Sequence, residues 1–216
     1  MTKTPVRSTR SDGERSRRTI LQAAARLATI EGLDGLSIGR LAEHIGMSKS
    51  GLYAHFGSKQ ELQLATIDTA AEIFHADVVR PTSDIADPLA RFEALCNHFL
   101  DYLARRVFPG GCFFAAAATE FDTHPGPVQE RIVDVYGRWL SLLEDLLRQA
   151  RAAGTIAPDA NPAQLVFELD SYLLMANLHF VLHNNEVPLE RARRAVETRI
   201  DTARAPGVAR AGGSAS

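Results

Sequence analysis

Apolar residues recur along most of the chain at intervals of three and four, the period of amphipathic helices, and nowhere in the strict alternation of a half-buried strand. From about Glu14, the residues Ile20, Ala23, Ala24, Leu27 and Ile30 share one face of a predicted helix that Gly32 is placed to stop. Ile38, Leu41, Ala42 and Ile45 give a second, short helix behind Ser37, a good N-cap. Gly46 permits a sharp turn, and Ser48 caps a third helix that sends Leu52 and Phe56 inward. Ser58 and Glu61 stand at capping-box spacing and open a fourth helix, with Leu62, Ala65, Ile67, Ala70, Ala71 and Phe74 as its stripe and Pro81 as its end. Two short helices across a glycine turn, braced by neighbours, have the layout of a helix-turn-helix.

The same period continues beyond residue 85. Asp87-Pro88 pairs an N-cap with an N1 proline and opens a helix whose broad face holds Phe92, Leu95, Cys96, Phe99, Leu100 and Leu103. Residues 108–111 (FPGG) break it, 112–120 form a short apolar helix, and His124-Pro125-Gly126-Pro127 breaks again. A long helix over 128–153 ends at Gly154. Asn161-Pro162 starts another that reaches about His183, and Pro188 opens the last, to about Arg204. The prediction is an all-α chain of about nine helices. A basic arm (1–13) and a tail (205–216) are expected to be disordered, flanking a helix-turn-helix DNA-binding domain with its connecting helix (14–80) and a larger helical domain (81–204).

Charge changes the picture. The net charge of −2 by itself disfavours a nucleic-acid partner, but residues 1–60 hold ten basic against five acidic side chains, a net of +5 that leaves −7 for the remainder. Lys3, Lys49 and Lys59, the three lysines of the chain, all lie in the positive part. Such a division lets one end approach phosphates while the rest is repelled. No apolar run has the length of a membrane span, and no signal-peptide core follows the N-terminus, so no membrane partner is expected. Two cysteines, Cys96 and Cys112, without a CxxC pair fit a reducing cytoplasm.

The polar side of the third helix carries the candidate chemistry. Ser48, Lys49, Ser50 and Gly51 offer hydroxyl, ammonium and bare backbone to base edges or phosphates. Tyr53 and His55 follow, and Lys59 stands at the next helix start, where backbone N–H groups favour phosphate. For Tyr53 alone, a ring packed in the core is the plainer alternative. The stretch LSIGRLAEHIGMSKSGLYAHFGSKQEL resembles the DNA-binding head of the TetR family of transcriptional regulators: Ser37, then Gly46-Met47-Ser48, Tyr53-Ala54-His55-Phe56, and Ser58-Lys59-Gln60-Glu61-Leu62. The resemblance spans residues 14–62. It implies phosphate contacts from Ser37, Ser48, Tyr53, His55 and Lys59, and an approach to bases by Lys49 and Ser50. At Gly39-Arg40 the family often has an acidic second residue; Arg40 is added as a phosphate contact.

GGCFFAAAATEFDTHPGPV, residues 110–128, is similar to the C-terminal regions of some members, a weaker match. The resemblance implies a helical effector-binding and dimerisation domain, its last two helices pairing with a second subunit. Apolar residues compatible with that interface are Val166, Leu169, Leu173, Leu178 and Val181, with Leu189, Ala192, Val196 and Ile200 on the last helix. An effector pocket is drawn from Phe92, Cys96, Phe99, Phe113 and Phe114 together with Tyr136, Trp139, Tyr172, Met175 and Asn177, although each taken singly is more often core than ligand-binding. His98, Glu120 and His179 are further polar candidates, while Glu168 and Asp170, odd in an apolar helix, are expected at an exposed or interfacial edge. His179 and His183 have metal-ligand spacing but no obvious third ligand, so neither metal nor other cofactor is expected beyond an unknown small-molecule effector. No GxSxG, P-loop, Rossmann or HExxH motif occurs, and no enzymatic role is expected. The reading is a homodimeric, ligand-responsive repressor of a pseudo-palindromic operator. An activator with the same head, or a helical carrier or enzyme that never meets DNA, stays open as an alternative.

Overall fold

In the computed structural model, which describes residues 8–207, the chain folds into helices joined by short capped turns. Among the described residues there are nine α-helices and no strand; an isolated antiparallel bridge joins Ile156 and Arg204. The helices are α1 (Ser8–Glu31), α2 (Ile38–Ile45), α3 (Lys49–Phe56), α4 (Lys59–Phe74), α5 (Pro88–Ala104), α6 (Phe113–Glu120), α7 (Pro127–Ala152), α8 (Pro162–His183) and α9 (Val187–Ala203).

Local chemistry places most of these boundaries. Asp87 caps α5 by accepting from the Ala90 N–H at 2.7 Å, and Asn161 caps α8 by accepting from the N–H groups of Ala163 and Gln164. Pro88 and Pro162 take the first helical position, where no N–H is needed. At the far end of α8, Asn184 adopts a left-handed conformation (φ 52°). Two starts and one end differ from the periodic pattern. α1 begins at Ser8, so residues 8–13 of the expected arm are helical; the rest of that arm, and the tail beyond residue 207, lie outside the described residues. α9 begins at Val187, one residue ahead of Pro188. α4 keeps α geometry only to Phe74, then loosens into a π turn (His75–Val79) and tightens into a 3-10 turn (Arg80–Thr82) that accommodates Pro81.

Two compact units emerge, and residue 80 is not the divide between them. The first joins the chain up to Ile73 with Phe108–Val133; the second joins Phe74–Val107 with the chain from Asp134. In the first, Ile20, Leu21, Ala24, Ala25, Leu27 and Ala28 of α1 are buried, as are Leu41, Leu52, Phe56 and Leu62 of the following helices. Ile30, expected inside, is 65% exposed, because α1 presents its last turn to water there. The reason Phe108–Val133 belongs here is contact at the end of α1. A Cβ on Gly110 would stand 1.8 Å from the Thr29 carbonyl oxygen, so the two backbones touch in a way only glycine allows.

In the second unit α5, α8 and α9 pack on one another. Val166, Leu169 and Leu173 of α8 and Leu189, Ala192, Val196 and Ile200 of α9 are all buried there within one chain. They are therefore not an available dimer surface, contrary to expectation; burial inside the chain already uses that face. Of the residues assigned to the interface, Leu178 and Val181 are exposed, and Phe167, Met175 and Leu182 join them on the same outer side of α8. α8 has the length and mean hydropathy (1.4) of a membrane span, but this follows from being apolar on both faces, one of them internal. Ion pairs brace the unit: Arg199 to Glu168, Arg204 to Glu93, and Arg193 to Asp101 at 2.8 Å.

Candidate nucleic-acid interface

The helix-turn-helix formed by α2 and α3 is delimited by three local bonds. Ser37 accepts from the Arg40 N–H at 3.2 Å, opening α2. Gly46, left-handed at φ 69°, closes it, with the Met47 N–H donating to the Ala42 carbonyl at 2.9 Å. Ser48 then accepts from the Gly51 N–H at 3.1 Å and opens α3. Leu52 and Phe56 anchor α3 in the core. That leaves Lys49, Ser50, Tyr53 and Ala54 facing water. Tyr53 is 59% exposed, so its ring is not packed. Lys49 lies back along α2: a Cβ on Gly39 would meet its Cε at 3.4 Å, which is why the glycine in place of a larger residue suits this helix pair. Ser37, Gly39, Arg40, Glu43, Met47 and Lys49 together line a shallow groove beside the turn.

Two of the candidate cations are already engaged. The Arg40 guanidinium donates Nε at 3.0 Å and Nη2 at 2.7 Å to one carboxylate oxygen of Glu31, and Lys59 donates to Asp34 at 2.8 Å. The Lys59 ammonium holds the Asp34 carboxyl below its ordinary range, by hydrogen bond first and by charge second. Both pairs are open to solvent, which screens them and lets a phosphate compete for the cation. His55 is half-buried, its ring beside Phe56 and its carbonyl accepting from Arg17. Arg17 also stacks 4.6 Å over the Phe56 ring, tying α1 to the end of α3. Glu31, Asp34 and Arg17 are not legible as site residues in the sequence, because their partners lie on other elements.

The second unit holds a buried polar cluster. Asp170, 7% exposed in the middle of α8, accepts from the Tyr136 hydroxyl and from Trp139 Nε1 at 3.3 Å. Burial raises its carboxyl above the ordinary range, with the two hydrogen bonds opposing that shift. Rings surround it: Trp139 stacks with Phe99 at 6.3 Å between centroids and meets Phe74 edge-on at 5.2 Å. Cys96 is buried, and desolvation raises its thiol too. Phe92 and Asn177 are buried and Tyr172 half-buried, whereas Met175 is 53% exposed and turned away from the core. Phe113 and Phe114 pack edge-to-face at 5.2 Å in the first unit. Glu168 pairs with Arg199 at a half-buried edge, in keeping with its charge; Asp170 does not lie at an edge. His179 and His183 stand 5.4 Å apart on the exposed part of α8, and no group of three or more His, Cys, Asp or Glu suited to a metal occurs among the described residues.

Residues 20–66 match the model of the bacterial regulatory proteins of the tetR family, and residues 88–196 match the Tetracyclin repressor-like C-terminal domain. The chain belongs to the TetR family. It is accordingly a DNA-binding transcriptional regulator, of a family that meets operator DNA as dimers and responds to small-molecule ligands. Among TetR-type relatives, the HTH-type transcriptional repressor NicS of Pseudomonas putida is 26% identical over 189 residues, 85% of this chain and 82% of its own. A TetR transcriptional regulator from Chloroflexus aurantiacus superposes with a TM-score of 0.83 at 26% identity, covering 90% of this chain and 98% of that one. AibR, crystallised with isovaleryl coenzyme A and operator DNA, gives 0.66 at 25% identity over 83% of this chain and 94% of its own. In this TetR-family chain the family motif thus sits where the Ser48 cap and the Leu52–Phe56 anchor present α3 to solvent.

Proposed function

We propose that the chain is a homodimeric repressor that sets α3 of each protomer into successive major grooves of a pseudo-palindromic operator, about one helical turn apart. The observation that carries this reading is the orientation of α3: Leu52 and Phe56 buried, Lys49, Ser50 and Tyr53 outward. In this reading Lys49 and Ser50 approach bases, while Ser37, Arg40, Ser48, Gly51, Tyr53, His55 and Lys59 serve phosphates. The second copy docks on the outer side of α8, through Phe167, Met175, Leu178, Val181 and Leu182, all left exposed by the single chain. The effector site lies around Asp170, Tyr136 and Trp139, with Cys96 and Phe99 beside them. AibR, which holds both an acyl coenzyme A and operator DNA, supports a small-molecule effector by likeness.

The test is binding of the purified chain to DNA upstream of its own gene, followed by anisotropy across a salt series. Lys49→Ala is expected to lower the preference for that DNA over random sequence, and Trp139, the single tryptophan, reports effector candidates by its fluorescence. Equal binding of both DNAs by the unaltered chain at physiological salt, for this and for sequences selected from a random pool, would overturn the reading.

A further inference from the structure

The stretch GGCFFAAAATEFD is far from the DNA-binding motif in sequence, yet it ends on the turn that feeds that motif. Glu120, the last residue of α6, accepts two backbone hydrogen bonds from the turn between α1 and α2: Leu33 N–H at 2.7 Å to Oε2 and Asp34 N–H at 2.9 Å to Oε1. A carboxylate taking two N–H groups in a fork is among the stronger polar contacts available to a chain. Gly32 makes the approach possible. It is left-handed at φ 84°, and a Cβ there would stand 2.6 Å from Glu120 Oε1. A second point of contact, Gly110 N–H to Thr29 Oγ1 at 3.2 Å, fixes the same stretch on the end of α1.

The turn held in this way is the one that organises the interface. Leu33 is buried, and its carbonyl accepts from Gln63 of α4 at 2.9 Å, so α6 and α4 grip one residue from two sides. Asp34 receives Glu120 through its backbone and offers its own carboxylate to Lys59 at the start of α4. Ser37, the α2 cap, lies three residues further on. Without the Glu120 fork, two N–H groups lose their acceptor and the turn keeps only Gln63, Lys59 and its buried leucines to hold it, so Ser37 and Asp34 are less firmly placed.

We propose that Glu120 is a positioning residue for operator recognition: it touches no DNA but holds the α1–α2 turn so that α2, α3 and Lys59 meet the operator in register. The proposal rests on the DNA-binding reading. It requires specific binding to depend on Glu120 while sequence-independent attraction, a matter of charge, does not.

The experiment uses the full chain and an operator selected by the unaltered protein from a random DNA pool. Failure of that selection would count against the DNA-binding reading itself, whereas the role of Glu120 is judged on the variants. Glu120→Ala and Glu120→Gln are titrated by anisotropy on the selected operator and on random-sequence DNA. The active fraction of each is fixed by stoichiometric titration, and its melting temperature is recorded. Glu120→Ala is expected to lose about tenfold in operator affinity per folded molecule, the worth of a charge-assisted hydrogen bond, with random-sequence affinity within about twofold of the original. Glu120→Gln, which keeps one acceptor of the same shape, is expected to recover part of the loss. A merely structural role would lower the melting temperature and the active fraction but leave the ratio of the two affinities unchanged, and that result overturns the proposal. Should Glu120→Ala fail to fold, the ratio measured for Glu120→Gln decides alone.

Discussion

Neutralising Asp34 isolates the electrostatics of the interface from its fold. Asp34→Asn keeps the shape, the backbone bond to Glu120 and the turn, and removes only the negative charge that now holds Lys59 at 2.8 Å. Lys59 and Asp34 are 47% and 68% exposed, so their pairing contributes about 0–1 kcal/mol and its loss leaves the fold intact. The effect belongs to DNA binding. A lysine paired with its own carboxylate displaces little counterion from a duplex; a released one displaces nearly a full charge's worth, steepening the slope of log affinity against log salt by up to about 0.9. Between 50 and 200 mM salt that added slope amounts to a further loss of about three- to fourfold, so the variant binds more tightly at low salt and converges on the original as salt rises. Anisotropy titrations of one labelled operator at five salt concentrations read both quantities. Parallel lines for the two proteins, or weaker binding by the variant at the lowest salt, would refute the idea that Asp34 competes with phosphate for Lys59. Adding Lys59→Ala to the variant should abolish the extra slope, which assigns it to that side chain.

Three further outcomes are expected. Asp170, raised by burial, binds its proton more tightly in the folded than in the unfolded chain, so its contribution is present at low pH and is lost as pH rises through the folded value. Asp170→Asn should therefore melt higher than the original at neutral pH, and the advantage should shrink as pH falls toward the ordinary carboxylate range of about 4; a difference independent of pH would contradict this. Gly110→Ala forces a methyl group to within 1.8 Å of the Thr29 carbonyl and should cost roughly 2–4 kcal/mol in denaturant unfolding, whereas Gly137→Ala in the open middle of α7 should stabilise by about 0.5–1 kcal/mol. Leu182→Glu on the outer side of α8 should convert the dimer to monomer by sedimentation with helicity retained, whereas Val196→Glu, which is buried, should lower the helical signal itself.

Whatever sequence neighbours decide is legible in the chain. Ser37, Ser48, Asp87 and Asn161 each cap a helix through a bond to an N–H two or three residues away, and the glycine and proline punctuation falls where backbone geometry demands it. The face of α3 can be read for the same reason, since Leu52 and Phe56 are the large apolar residues on an otherwise polar helix. Periodicity gives no guidance on α8, where both faces are apolar: most of the residues expected at the dimer surface are buried, and Met175, expected in a pocket, points outward. Asp170 stands out as odd, but its partners Tyr136 and Trp139 sit more than thirty residues away, and its burial depends on them. The Glu120–Leu33 bond joins residues 87 positions apart, a distance at which no local pattern speaks. The placing of Phe108–Val133 with the DNA-binding helices is hidden for that reason.

As the proposed docking face for a second copy, the outer side of α8 would make concentration a thermodynamic variable for this protein. A lone chain leaves Phe167 at 69% and Leu182 at 68% exposure, with Met175 and Leu178 between them; on the proposed docking of a second copy at this face, dimerisation would add to the stability of the fold. The melting temperature of the dilute protein should then climb with its own concentration. In a cell the proposed interface would give the regulator a threshold: below a certain copy number an incompletely covered monomer, above it a stable reader of DNA.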